Sequence, residues 1–360
     1  MAVISRLDVL NVRNLSSVQL LPSDKMNVIY GDNGSGKTSL LEAIYLLGFG
    51  RSFRSHKLDS IIQNDKEECT VFCDLAEGAA IGLSKSRRQG HQLRLMGERQ
   101  RNWADAARHL PVQILNSESF LLLDGSSKVR RRYLDWGVFH VEHDFVNAWR
   151  GAAKCLAHRN LLLKQRSPDR VQLAAWDFEL CRFSQHIDRS RKEYFGLLHP
   201  LLLQTVERLV SITGLSIAYA RGWDDSEELA ASLQAGFDKD VRYGATQLGP
   251  HRADILVKIG RASAAEVLSR GQQKLLVSAM KIAQGYLLSE CSGVKCVYLL
   301  DDLPSELDPG NRRRVCDLLD ELNCQVFMTC VEEHDLEKSW PPGLMPRKFH
   351  VEHGKISCVV

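Results

Sequence analysis

The 360-residue sequence predicts an α/β protein with a mixed, mostly parallel sheet and an inserted helical subdomain. Three observations carry that prediction. A glycine-rich turn, GDNGSGKT at 31–38, follows a short apolar run and precedes a helical one. The final third alternates apolar strands with helical segments. From Ser126 to about Ile212 there is almost no strand pattern, and apolar residues recur at helical spacing. The expected organisation is a discontinuous α/β domain over 1–125 and 246–360, with a mainly helical lobe over 126–245.

Each element has its own signal. MAVISRLDVLNVRNL alternates like a strand, and MNVIY is a buried strand ending in the glycine turn. KTSLLEAIYLLGFG is a helix closed by Gly48 and Gly50. ECTVFCDLAE, AAIGLSKSR and HQLRLMG read as antiparallel strands with turns at Glu77-Gly78 and Gln89-Gly90. Two helical runs follow, broken at Ser167-Pro168-Asp169 and too short and interrupted for a long coiled coil. The mixed pattern returns after GLSIAYARGW. A helix after Arg270, the strand CVYLL, a helix from Pro309, the strand CQVFMT and a short β tail complete the chain.

Composition excludes several classes. At 44% apolar and 25% charged residues, the chain is that of an ordinary globular protein. It has no apolar run of membrane-spanning length, and its first residues lack the pattern of a signal peptide. The expectation is a cytoplasmic protein with no membrane partner. None of the ten cysteines lies in C-x-x-C. Cys69 and Cys73 share one strand face and are expected as buried free thiols. His140 and His143 form a pair without an evident third metal ligand.

GDNGSGKT fits G-x-x-x-x-G-K-[ST] between strand and helix, a phosphate-cradling loop. Gly31, Gly34 and Gly36 let the backbone curl, with Asp32, Asn33 and Ser35 between them, so that N–H groups face phosphate oxygens. The helix N-terminus adds positive charge. Lys37 would reach the β- and γ-phosphates of ATP, and the Thr38 hydroxyl would hold Mg²⁺. The apolar strand CVYLL ends in Asp301 and Asp302, at the sheet edge where α/β proteins bind ligands. Asp301 would hold Mg²⁺ through water. Asp302 would polarise the attacking water; taken alone it reads as a helix cap or a surface acid.

Two further motifs narrow the class. LSRGQQK at 268–274 and LLDDLPSELD at 299–308 resemble the signature and acidic-strand segments of ABC-type ATPases. Together with LNVRNL, GDNGSGKTSLLEAIYLLGFGRSFRS, RRRYLDW and LGPHRAD, they resemble the RecF family of bacterial recombination mediators across residues 10 to 308. The resemblance implies an SMC-like, ABC-type P-loop ATPase head without long coiled coils, using ATP and Mg²⁺. It implies an ATP-dependent homodimer in which Ser269, Gly271 and Gln272 meet the ATP of a second copy. Taken alone, Ser269 reads equally as a helix N-cap. Ser305, Glu306 and Asp308 would line the dimer interface, Asp308 also capping the next helix. Arg13 is either a phosphate-side contact or a strand-surface arginine; by the same resemblance His251, Arg252 and Asp254 would share structural and nucleotide-proximal roles.

Two departures stand out. Ser117-Glu118 replaces the family's Pro-Glu, near where ABC proteins carry a metal-linked Gln, for which Asn116 or Glu118 would substitute. Thr329-Cys330 stands where ABC transporters have a switch histidine. A threonine hydroxyl can hydrogen-bond phosphate or water but cannot take up charge, so slow hydrolysis is expected. The implied enzyme is a weak, DNA-stimulated ATPase. Its implied partners are duplex DNA, junctions of single- and double-stranded DNA, and the mediators RecR and RecO.

Between Ser126 and Arg170, ten Lys or Arg face four acids in a chain of net charge +3. Lys128, Arg130, Arg131, Arg132, Arg150 and Lys154 are the candidate DNA contacts, with Arg51 and Arg54 as a further patch. Such asymmetry is the footprint of nucleic-acid binding, although Arg131 and Arg132 also read as buried ion pairs. Without a base-reading module, backbone contacts are expected. The competing readings are the ATPase subunit of a membrane transporter and an ATP-switched structural protein that never hydrolyses.

Overall fold

The computed structural model describes residues 2–55, 57–336, 339–341 and 343–359. The chain divides into two compact units, residues 1–119 with 274–360, and residues 120–273.

In the first unit an antiparallel sheet has the order β2 (Leu15–Leu20), β1 (Ile4–Val12), β4 (Glu68–Leu75), β5 (Ala80–Ser86), β6 (Gly90–Leu95) and β7 (Glu98–Gln100). A second sheet has the order β15 (Lys355–Val359), β14 (Arg347–Glu352), β3 (Met26–Tyr30), β13 (Gln325–Cys330), β12 (Val297–Leu300) and β8 (Val112–Leu115). Its pairings are parallel except that of β14 with β15. Parallel β3, β12 and β13 therefore end along one edge, which carries the glycine loop, Asp301 and Thr329.

Helix α1 (Lys37–Phe49) has eleven of its thirteen residues buried. A helix buried on nearly every side belongs inside a core. Its Leu40, Leu41, Ile44 and Leu47 share one apolar cluster with Leu7 and Val71 of the antiparallel sheet and with Val297 and Phe327 of the parallel one. Burying each such side chain contributes roughly 1.5–3 kcal/mol, which anchors the loop ahead of the helix. Gly50 ends α1 in the left-handed region (φ 67°), its N–H returned to Leu46 O. The remaining helices of this unit are α2 (Ala104–His109), most of α10 (Arg270–Ser292), α11 (Leu303–Glu306) and α12 (Pro309–Glu321). The expected hairpin turns fall at Gly78 and Gly90, both at positive φ. Strand β8 has no counterpart among the sequence expectations. Its four residues are all buried, so no alternation marks it.

The second unit contains α3 (Leu121–Asp124), α4 (Ser127–Val141), α5 (Phe145–Leu163), α6 (Arg170–Leu209), α7 (Leu229–Ala235), α8 (Phe237–Tyr243) and α9 (Ala264–Val267). They accompany a small antiparallel sheet of order β11 (Ala262–Ser263), β10 (Asp254–Ile259) and β9 (Leu215–Ala220). Helix α6 runs unbroken for 40 residues with Pro200 inside it, longer than the interruptions in the pattern suggested. Asp169 caps its start, accepting from Val171 N at 2.8 Å and Gln172 N at 3.1 Å. This unit exceeds the expected lobe of 126–245 at both ends. The reason is pairing: β10 closes onto β9 in antiparallel register, Asp254 against Ala220 through Ile259 against Leu215. Alternation marks a strand without saying which sheet it joins. Among the described residues, no helix is long and apolar enough to cross a membrane.

Candidate functional site

The glycine loop curls through three positive-φ positions, Gly31 (146°), Gly34 (80°) and Gly36 (127°). At Gly31 an added Cβ would stand 2.2 Å from Val351 O, and at Gly36 2.7 Å from Leu15. Gly34 has open space around it, so there the conformation alone requires glycine. Lys37 Nζ folds back over the loop, donating to Gly31 O at 2.6 Å and Asp32 O at 2.9 Å. Burial pushes its ammonium down, against the pull of Asp302, Asp301 and Asp32. The Ser35 hydroxyl is buried without a hydrogen-bond partner. It lies on the side of Gly31 that faces Val351, and Ser35 is not among the residues lining the cavity beside the loop.

The acidic end of β12 meets the head of α1. Thr38 Oγ1 donates to Asp301 Oδ1 at 2.9 Å, and Thr329 Oγ1 donates to the same oxygen at 2.9 Å. Burial pushes the Asp301 carboxyl up, while the two threonine hydroxyls oppose that shift and Asp302 adds to it. A hydroxyl beside a buried carboxylate is a donor set suited to a hard divalent cation. The residues therefore fit Mg²⁺. A cavity of about 540 Å³ is lined by Asn33, Gly34, Gly36, Lys37, Thr38, Asp301, Asp302 and Thr329, together with Arg13, Asn14 and Arg54.

Several expectations change. Asp302 holds the N-cap position of α11 in the left-handed region (φ 52°), but its carboxylate makes no cap bond. Its Oδ2 accepts from Ser305 Oγ at 2.6 Å, which displaces the capping reading. Thr329 is buried and spends its single proton on Asp301, while its oxygen accepts from Asp302 N at 2.8 Å. It orders the acidic pair rather than offering a donor to phosphate. Arg13 grips buried Glu42 with two bonds of 2.9 and 2.8 Å and donates to Ser60 O at 2.6 Å. It forms cavity wall, with its guanidinium already committed. Arg54 and Arg51 are both exposed, and Arg54 also leans on Glu42 at 3.7 Å and lines the cavity. Asn116 Oδ1 accepts from Ser119 Oγ at 2.9 Å, and neither Asn116 nor Glu118 lines the cavity. Asp308 caps α12 through Asn311 N at 3.0 Å, and that bond pulls its carboxyl down.

In the second unit Ser269 and Gln272 form a reciprocal capping box at the head of α10. Gln272 N donates to Ser269 Oγ at 3.3 Å and Ser269 N to Gln272 Oε1 at 3.1 Å. Ser269 and Gly271 are exposed, and a Cβ at Gly271 would meet nothing within 4 Å. The arginine-rich segment divides. Arg130 forms a two-bond pair with Asp254 (2.7 and 2.9 Å) and also reaches Gly125 O at 2.7 Å. Arg131 donates to Ala253 O at 2.7 Å, and burial pushes its guanidinium down. Arg159, counted in the basic cluster, is fully buried between Asp177 and Asp240. Arg130 and Arg131 are taken out of the candidate DNA surface because they donate inside the fold, and Arg159 because it is fully buried, although its Nη2 has no partner there. Lys128, Arg132, Arg150 and Lys154 are exposed. Cys69 and Cys73 are buried free thiols, which burial pushes up to about 11 and about 12.

Three residues escaped the sequence reading. Glu42 carried a signal, a lone acid inside LLEAIYLL. So did Lys281, a lone cation inside SAMKIAQ; its Nζ donates to Ile114 O and to Ser119 Oγ, and lost solvation pushes it down to about 8. Asn14, whose amide holds Gly34 O at 2.7 Å, carried none.

Residues 3–341 match the model of the RecF/RecN/SMC N-terminal domain. Over 358 residues the chain is 48% identical to the DNA replication and repair protein RecF of Pseudomonas syringae pv. tomato, covering 98% of each. A solved structure of the recombination mediator protein RecF with ATP, in the RecFOR pathway, superposes with a TM-score of 0.86 at 26% identity, covering 99% of this chain and 98% of that one. An SMC head bound to the C-winged helix domain of ScpA shares the fold, with a TM-score of 0.58 at 15% identity over 99% of this chain and 97% of that one. The fold is that of an SMC-like, ABC-type ATPase head.

Proposed function

The chain belongs to the RecF family, within the RecF/RecN/SMC N-terminal domain group, and on that premise we propose that it is an ATP-dependent DNA-binding protein of replication and recombinational repair. In this reading two copies close over duplex DNA near a single-strand gap or junction, and slow hydrolysis releases them. RecR and RecO are the proposed partners in loading recombinase. The observation that carries the reading is the meeting of Thr38 with Asp301 at 2.9 Å, one residue past Lys37 and at the mouth of the glycine cradle.

The chain's own residues divide the work. The loop N–H groups and the head of α1 bind the triphosphate. Lys37 exchanges its two loop carbonyls for phosphate oxygens, which recovers solvation lost to burial. Thr38 and Asp301 would hold Mg²⁺, which supplies charge neutralisation at the β- and γ-phosphates. Thr329 fixes the orientation of Asp301 and, through the Asp302 amide, of the next carboxylate. Asp302 orients water for attack.

Ser269 and Gly271 present an open helix start to the triphosphate of a second copy, so a two-fold dimer buries two nucleotides. The capping box does not conflict with this, since Ser269 Oγ accepts in the box and keeps its proton for a phosphate oxygen. ATP that binds the dimer alone shifts the association equilibrium by mass action. Size-exclusion chromatography with light scattering, with and without Mg-ATP and duplex, tests this directly. Dimer in the joint presence of both is expected; a chain that stays monomeric at saturating Mg-ATP with duplex sinks the reading.

A further inference from the structure

When the N–H groups of a phosphate loop turn inward, its carbonyls need acceptable partners outside. Two are held from that side. Asn14, between β1 and β2, donates from Nδ2 to Gly34 O at 2.7 Å, while its Oδ1 accepts from Ser39 Oγ of α1 at 2.8 Å. Gly354, in the turn between β14 and β15, donates its backbone N–H to Ser35 O at 3.0 Å. The same turn sits on the β1–β2 turn so closely that a Cβ on Gly354 would stand 2.1 Å from Asn14 O, at a φ of +74°. Val351, three residues earlier, places its carbonyl against Gly31, where a Cβ would meet it at 2.2 Å. The hairpin, Asn14 and the loop thus close a ring of contacts around residues 31–35.

Sheet pairing does not require this arrangement. β14 completes its register with β3 from Arg347 to His350, before the turn is reached. The turn then reaches the one loop residue whose hydroxyl is buried and unpartnered, Ser35. In a trans peptide the C=O and N–H point in opposite directions. Holding Ser35 O on Gly354 therefore aims the Gly36 N–H towards the cavity that Gly36 lines.

Resting on the nucleotide reading above, we propose that the β14–β15 turn is a positioning element for the triphosphate: Gly354, seated on Asn14, sets the Ser35–Gly36 peptide so that its N–H meets a phosphate oxygen. The glycine is needed twice, for its backbone region and for the absent side chain. Gly354→Ala violates both requirements. Gly354→Asn keeps tolerance of the left-handed region but adds the same Cβ, so it isolates the close approach. Asn14→Ala leaves the hairpin intact and frees Gly34 O.

The test titrates ATP by calorimetry and adenosine by ligand-observed NMR, with thermal unfolding of each ligand-free protein recorded alongside. A merely structural role would weaken both ligands in step with stability. The proposal expects the two Gly354 variants to stay folded, at a lowered unfolding temperature, and to lose about tenfold or more in ATP affinity, the worth of one charge-assisted hydrogen bond. Adenosine, which lacks phosphates, is expected to bind them as it binds wild type. Asn14→Ala should lose ATP affinity in the same direction. Wild-type ATP affinity in folded Gly354→Asn overturns the proposal. So does a Gly354→Ala that loses its fold while Asn14→Ala keeps full ATP affinity. A folded wild type that takes up no ATP rejects the nucleotide reading itself, and the positioning role with it.

Discussion

Two regions of this molecule are dense in charge and use it in opposite ways. At the phosphate loop the Arg13–Glu42–Arg54 wall is paired, but the groups at the loop itself lack counter-charge: among the described residues Lys37 bonds backbone carbonyls, Asp301 bonds hydroxyls, and the Ser35 hydroxyl has no partner. Within the second unit three inward-turned arginines are matched by carboxylates. Arg130 holds Asp254, Arg159 holds Asp177 and Asp240, and buried Arg191 grips Asp135 with bonds of 2.8 and 3.0 Å. The difference separates a site from a scaffold. A buried charge kept short of counter-charge costs stability and is ready for a ligand, whereas one fully paired resists replacement and binds nothing further.

The comparison breaks if the paired region tolerates loss of a partner. Arg159 and Asp240 are 0% and 2% exposed in their side chains, and Thr246 Oγ1 accepts a further bond at 2.9 Å. Arg159→Met leaves Asp240 charged and unpaired in the interior. The expected cost is about 3–5 kcal/mol of unfolding free energy, measured by urea titration. A loss below about 1 kcal/mol would mean that water reaches the pair and that the scaffold reading is wrong. Lys37→Ala is the mirror experiment. It should lower ATP affinity on the order of a hundredfold, read by calorimetry, while the urea midpoint hardly moves, because the lysine is desolvated without a carboxylate bond.

How much of this was legible in the sequence follows the same division. The phosphate loop is a backbone device, so its glycines and their spacing declare it, and an apolar strand ending in two acids declares Asp301. The arginines are different. A run such as RRRYLDW states charge but not the face each side chain takes, and Arg130 and Arg131 turn inward only because Asp254 and Ala253 lie at the start of a strand more than a hundred residues later. The same distant pairing misplaced the lobe boundary at 245, since β10 belongs with β9. Thr329 was found for the wrong reason: its position beside the acidic strand is readable, but the choice of Asp301 as hydrogen-bond acceptor is a matter of geometry.

The exposed cations sharpen the contrast at lower amplitude. Charge reversal of Lys128, Arg150 and Lys154 together should reduce the slope of log affinity for duplex against log salt. The reduction should be about 0.9 for each phosphate no longer neutralised, up to about 3 in all. Arg130→Gln should leave that slope unchanged and lower the urea midpoint instead. Equal slopes for wild type and the triple variant would remove these three cations from the DNA surface and leave Arg51, Arg54 and Arg132 as the residues to test next.

The smallest expected effect lies at His251, inside the paired region yet itself an exception to it. Its Nε2 bonds Thr246 O at 3.0 Å, its buried Nδ1 has no partner, and Arg252 and Arg131 repel a second proton while Asp240 weakly favours it. Burial is the main cause that pushes the imidazole down to about 4. The folded value lies below the unfolded one, near 6.5, so the unfolded chain binds more protons in between. Stability is therefore intact above about pH 6.5, falls as pH drops towards 4, and loses no more to this group below that. Between about pH 7.5 and 5.5 the loss should be about 1 kcal/mol. His251→Gln can still donate to Thr246 O but cannot titrate, so the urea midpoints of the two proteins should converge as pH falls through that window. A constant gap between them across the same window would show that water reaches Nδ1, and that this interior is less dry than its ion pairs require.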